Sequence, residues 1–158
     1  MAKVWEGRYR ASIEGDFVVF VIGMRFNKPW KVAQWWPVFR AMPKMLRYLE
    51  NNPEKGMLGG RIAVSGLSAL LVQYWRSFEH LEAFAKDSDD PHLEPWREYN
   101  RKVGRSGDVG VYHETYRVSP GDYEAIYVNM PAHGLAGAGK MEPVGSSSRA
   151  RGRMVGSD

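Results

Sequence analysis

The chain predicts an α+β domain built as a split βαβ antiparallel sheet with helices on one face. Three observations carry this. Short runs of β-branched and aromatic residues alternate with segments of helical periodicity in the order β-α-β-β-α(α)-β-β. Turn and cap residues punctuate the joins. The length, 158 residues, suits one domain with a real core and is too short for two.

Residues 1–15 read as an N-terminal arm. Asp16 to Phe26 is apolar on both alternating faces and is closed by Asn27-Lys28-Pro29, which marks a strand buried on two sides. From Trp30 to Asn52, the residues Trp35, Phe39, Met42, Leu46 and Leu49 follow one another at spacings of 4, 3, 4 and 3, a single helical face. Pro37 and Pro43 are expected to break or kink that helix. Met57–Ser65 and Ala69–Ser77 form a strand pair across Gly66-Leu67-Ser68. Ser77 is a good N-cap for a short helix over Phe78–Lys86.

The run Lys86-Asp-Ser-Asp-Asp-Pro91 then breaks the chain before a second helix, His92 to Val103, in which Pro95 competes for the first helical position. Val109–Val118 and Tyr123–Met130 close the body as strands around Ser119-Pro-Gly-Asp122. The domain is expected over 1–131, followed by a Gly/Ser/Arg-rich extension over 132–158 whose end reads as disordered.

One strand is apolar on both faces while all the helices lie on one side, so the other face needs a cover. A second copy packing sheet against sheet is the simplest, and a homodimer is expected in preference to a monomer whose tail covers the sheet.

Composition narrows the chemistry. No cysteine is present, which excludes disulfides, iron–sulfur clusters, thiolate-ligated haem and a cysteine nucleophile. Met1–Arg10 has no apolar signal region, and the longest apolar run, Phe17–Ile22, is too short to span a bilayer; a cytoplasmic protein without membrane contact is expected. Net charge is +4, half of it beyond residue 131, too weakly basic a body for nucleic acid. Six Trp and eight Tyr point to a large apolar interior, a lined pocket or a broad interface.

His92 and His113 bracket the last predicted helix and the strand after it, 21 residues apart. Alternation puts His113 on one face with Val109, Val111, Thr115 and Arg117, and puts Glu114 with Tyr112 and Tyr116 on the other. His113 is either a satisfied structural histidine or an acid/base group. His92, at a helix start with Trp96 nearby, is either exposed or an iron ligand. The remaining candidates are Trp36, Tyr74, Trp75, Tyr127 and Asn129 as pocket residues, and Arg25 and Arg76 for a substrate carboxylate or haem propionates. There is no HExxH, no cysteine cluster, no Gly-x-Ser-x-Gly and no phosphate-cradling glycine loop.

The runs Phe20-Val-Ile-Gly-Met-Arg-Phe-Asn-Lys-Pro-Trp-Lys31, Leu71-Val-Gln-Tyr-Trp-Arg-Ser-Phe-Glu-His80, Val111-Tyr-His-Glu-Thr-Tyr116 and Tyr123-Glu-Ala-Ile-Tyr-Val-Asn-Met-Pro131 resemble a monooxygenase-like family of the dimeric α+β barrel superfamily, over roughly residues 5–143. That resemblance implies a ferredoxin-like fold, a homodimer and a small-molecule substrate, with some relatives serving natural-product pathways. A more distant resemblance is to haem-containing aldoxime dehydratases. These carry a helix histidine on the iron and, about twenty residues later, a catalytic strand histidine beginning a His-Glu pair, matched by His92 and His113-Glu114. It implies haem b ligated by His92, with His113 as distal acid or base and Glu114 or a backbone carbonyl fixing its tautomer. The sequence therefore predicts a haem-dependent monooxygenase-like or aldoxime-dehydratase-like enzyme acting on a small, largely apolar metabolite. A cofactor-free antibiotic-biosynthesis-type monooxygenase and a non-catalytic ligand-binding dimer are the alternatives.

Overall fold

A computed structural model describes residues 2–87, 97, 101 and 105–144. Its elements are β1 (Val4–Ser12), β2 (Phe17–Phe26), α1 (Val32–Asn51), β3 (Met57–Ser65), β4 (Ser68–Trp75), α2 (Phe78–Lys86), β5 (Val109–Val118), β6 (Ile126–Pro131), α3 (Leu135–Ala138) and β7 (Lys140–Pro143). Four strands form an antiparallel sheet in the order β3-β4-β2-β5. Counted from β2, this is the split βαβ arrangement: the first and third strands are central, and each βαβ half sends its helix across the same face. The predicted α+β class holds. The predicted helix from His92 to Val103 falls largely outside the described residues.

The two-faced apolarity of β2 finds a physical explanation in what lies on either side of it. Val18, Met24 and Phe26 point into clusters shared with the helices, where Met42 and Leu49 of α1 and Leu81 and Phe84 of α2 are buried. Phe17 and Val19 point the other way, into a third cluster with Ala11, Tyr74, Leu135 and Ala136. Trp35, Phe39 and Leu46 complete the stripe of α1. That stripe runs unbroken through Pro37 and Pro43, contrary to the expected break. Each proline removes one intrahelical hydrogen bond, and burial of the stripe on the sheet offsets the loss. Ser77 caps α2 as expected, its Oγ accepting from the His80 N–H at 3.4 Å.

The outer face departs most from expectation. The arm contains β1, and the closing strand β6 leaves the main sheet to pair with it; β7 adds on the other side, giving a second sheet of order β6-β1-β7. Regular structure continues past residue 131, because α3 and β7 follow β6. This chain thus covers part of its own outer face, and the second sheet seals the end bearing Phe17, Val19 and Tyr74. The other end stays open: Tyr112 of β5, paired with Gly23, is 43% exposed, and along the β5 edge Tyr116, paired with Val19, is 50% exposed. An ideal Cβ on Gly23 would lie 2.3 Å from the Tyr112 ring, so the missing side chain lets that ring lie across β2. No helix among the described residues is long and apolar enough to cross a membrane.

Candidate functional site

The helix face of the main sheet is unevenly covered. Ala69, Leu71 and Trp75 of β4 are completely buried, Ala69 and Trp75 within the clusters under α1 and α2. At the other edge, β5 starts buried at Val109 and becomes exposed from Tyr112 to Arg117. His113 stands on this strip, opposite Ile22 of β2, with its ring 5.8 Å from that of Phe20. Thr115 follows on the same face, and the Arg117 guanidinium lies 4.9 Å from the Phe78 ring at the start of α2. Among the described residues, no hydrogen bond engages the His113 imidazole.

Across Phe20 from Thr115 lies Gln73, which the sequence reading did not single out. It is 1% exposed. Trp75 Nε1 donates to its Oε1 at 3.0 Å, and because an indole N–H can only donate, this bond fixes which end of the amide is which. Gln73 Nε2 is left without a partner. A buried donor in that condition costs stability and calls for an explanation. Its signal in the sequence is one polar residue inside Ala69-Leu-Leu-Val-Gln-Tyr-Trp75.

The structure divides the other predicted residues. Trp75 is buried beside Gln73, whereas Trp36 is 44% exposed and stacks on Phe39 in the other helical cluster. Tyr74 and Tyr127 lie together on the opposite face, between the two sheets. Asn129, with φ of 54°, accepts from the Gly7 N–H at 2.8 Å and fastens the irregularity where β1 shifts register against β6. Glu114 accepts from Tyr116 Oη at 2.7 Å on the outer face and holds that phenol's pKa above its ordinary value. It therefore does not orient His113, because adjacent strand residues point to opposite faces.

Arg25 pairs in register with Ser68 at the start of β4, and Arg76 follows Trp75 at its end. Roughly 25 Å of strand separates them, so they cannot hold the propionates of one haem. The haem reading rests on His92, which with Trp96 lies outside the described residues. No group of three or more His, Cys, Asp or Glu among the described residues is arranged to hold a metal ion.

An antiparallel ferredoxin-like sheet under two helices, with an imidazole and a buried amide donor on its helix face, makes this face the candidate site of an α+β domain. The chain belongs to the monooxygenase af470-like family, whose model matches residues 17–135. It is similar to Monooxygenase af470 of Aspergillus fumigatus, 29% identical over 151 residues that cover 82% of this chain and 53% of that protein. The chain thus spans about half the length of that relative. Among solved structures it resembles a dimeric ferredoxin-like protein from an uncultured marine organism, at 12% identity, 66% coverage of this chain and 96% of that one, with a TM-score of 0.46. It also resembles a Bacteroides thetaiotaomicron protein described as a possible oxidoreductase, at 12% identity, 65% and 98% coverage, with a TM-score of 0.42. The family match and the Aspergillus relative support the monooxygenase-like resemblance and lend no support to the aldoxime dehydratases.

Proposed function

We propose that this chain is a monooxygenase acting without a cofactor on a small, largely apolar, enolisable metabolite bound to the helix face of the main sheet. The observation that carries this is the pairing, on one face, of an imidazole with no polar partner among the described residues and a buried amide donor with none. In this reading His113 takes a proton from an activated CH2 group, and Gln73 Nε2 donates to the enolate oxygen that forms. The electron-rich carbanion reacts with dioxygen to give a hydroperoxide. Loss of water then converts that carbon to a carbonyl, one oxygen atom being retained and the other leaving as water. The substrate supplies all four electrons, so no reductant is needed. Phe20 and Ile22 would supply apolar contact for the substrate body.

The working unit in this proposal is a homodimer. The uncovered half of the outer face, around Gly23, Leu70 and Tyr112, would be the surface a second copy covers.

The test is oxygen uptake by the full chain with a hydroxyanthrone, a CH2 acid that changes colour on oxidation, alongside an absorption spectrum before and after adding hemin. Uptake by colourless protein, with a rate about 10²-fold or more lower in His113→Ala, is the expected result. A Soret band lost in His92→Ala would instead establish the haem-dependent reading and overturn this one.

A further inference from the structure

The side of α1 turned away from the sheet carries a pattern that the packing of its inner stripe does not use. Ala33, Trp36, Pro37, Arg40, Lys44 and Arg47 are all exposed, and their spacing places them in one stripe along the helix. The stripe is divided along its length. Its first turns, with Val32 and the preceding Trp30, are apolar and open to water: Trp30 is 73% exposed, Val32 49% and Trp36 44%. Trp36 stacks on Phe39, which holds the exposed ring in place. The later turns are cationic, and no ion pair among the described residues engages Arg40, Lys44 or Arg47. From Asn27 to Leu49 the chain has five lysines and arginines and no aspartate or glutamate. Of these five, only Lys28 and Lys31 meet a carboxylate among the described residues, and they share Asp108.

We propose that this stripe docks on the surface of a bilayer rich in anionic phospholipid, with Trp30 and Trp36 seated at headgroup depth and Arg40, Lys44 and Arg47 on the lipid anions. Indole rings favour that depth, and basic side chains are drawn to that charge. The shape agrees: the stripe is the convex side of one helix, about 20 Å long from Ala33 to Arg47, and lies flat on a planar partner. Docking of this kind crosses nothing, so the shortness of the apolar runs bears only on spanning. The inner stripe of α1 packs on the face of the sheet opposite the surface assigned above to a second copy, so a homodimer leaves the outer stripe free. The assignment stands apart from the oxygenation reading, because it uses neither His113 nor Gln73.

The test is co-sedimentation of the full chain with vesicles of mixed phosphatidylserine and phosphatidylcholine, against vesicles of phosphatidylcholine alone. Binding to the mixed vesicles is expected, weakened roughly 10²-fold in the triple variant Arg40→Gln, Lys44→Gln, Arg47→Gln, since each cation near an anionic surface contributes about a factor of five. Trp30→Ser should weaken it about tenfold or more. All four positions are exposed, so these variants should unfold in urea as wild type does. Replacing the tail arginines Arg149, Arg151 and Arg153 by Gln should leave binding unchanged, which separates the stripe from the general basicity of the chain. No binding to the mixed vesicles, equal binding to phosphatidylcholine alone, loss only with the tail arginines, or equal affinity in wild type and the α1 triple variant would overturn the proposal. So would a wild type that, without lipid, sediments as a larger species than Trp30→Ser, because the stripe would then be a contact between copies of this chain.

Discussion

Replacing Gln73 by Met tests the buried donor directly, because its energetics contain two opposed terms of similar size. Gln73 is 1% exposed and its Nε2 has no partner, a condition that costs about 1–3 kcal/mol. Met has nearly the same length and volume, so it removes that cost without opening a cavity. The substitution also strands Trp75 Nε1, fully buried and now bonded to Gln73 Oε1 at 3.0 Å, which costs about the same 1–3 kcal/mol. The expected net change is therefore within about 1 kcal/mol of zero, or about 2–4 °C in Tm for a chain of this size. Trp75→Phe should cost clearly more, since it leaves Oε1 unpaired, keeps the orphan Nε2 and opens a cavity. Urea unfolding followed by tryptophan fluorescence measures both variants. A loss above about 2 kcal/mol for Gln73→Met would show that Nε2 is satisfied in the free protein, and the helix face would hold no unpartnered donor there.

Three further outcomes follow from the same geometry. Leu49→Ala, at a fully buried site between Trp75 and Phe84, should cost about 2–5 kcal/mol in urea unfolding; a loss under about 1 kcal/mol would contradict the packing of α1 against α2 and the sheet. Asp108, held below its ordinary pKa of 3.8 chiefly by hydrogen bonds from Lys28 and then Lys31, ties the loop after β2 to the start of β5. Its folded pKa is depressed, so its stabilisation is complete above that ordinary value and is lost as pH falls through the native one. The Tm gap between wild type and Asp108→Asn should therefore be constant near neutrality and shrink only below about pH 4; a gap that closes between pH 8 and 6 would refute the assignment. Tyr112→Glu, which places charge on the uncovered outer face, should convert a dimer to monomer in sedimentation at unchanged helix-face chemistry, and wild type that sediments as a monomer would remove the homodimer from the proposal.

Much of this fold was legible because its signals are local. The stripe Trp35, Phe39, Met42, Leu46, Leu49 is written at helical spacing, and the same residues face the sheet. Ser77 announced its cap. The two-faced apolarity of Phe17 to Phe26 correctly demanded a cover on each side, yet it could not say what the cover was. The answer depends on pairings such as Tyr9 with Tyr127 and Ala11 with Met141, separated by more than a hundred residues and carrying no local mark. The site shows the same division. Alternation placed His113 and Glu114 on opposite faces from the sequence alone, while Arg61 and His133 meet only because α3 folds back over β3.

The strict alternation of β2 and β4 also decides how the candidate residues can cooperate. In β4, Gln73 and Trp75 point toward the helices and Tyr74 points toward the second sheet, so the six residues Leu71 to Arg76 feed two separate environments. A slip of one residue in the pairing of β4 with β2 would exchange them, and the buried contacts on both faces forbid it. Tyr74 and Tyr127 therefore cannot stabilise an anion generated beside His113, and a single pocket built from all the aromatic candidates does not exist. The proton transfer proposed for the helix face is thus separable by single substitutions from the packing between the sheets. A substitution between the sheets that changed the helix-face chemistry without losing the fold would mean that the sheet transmits between its faces, which the rigid packing around Trp75 and Phe17 argues against.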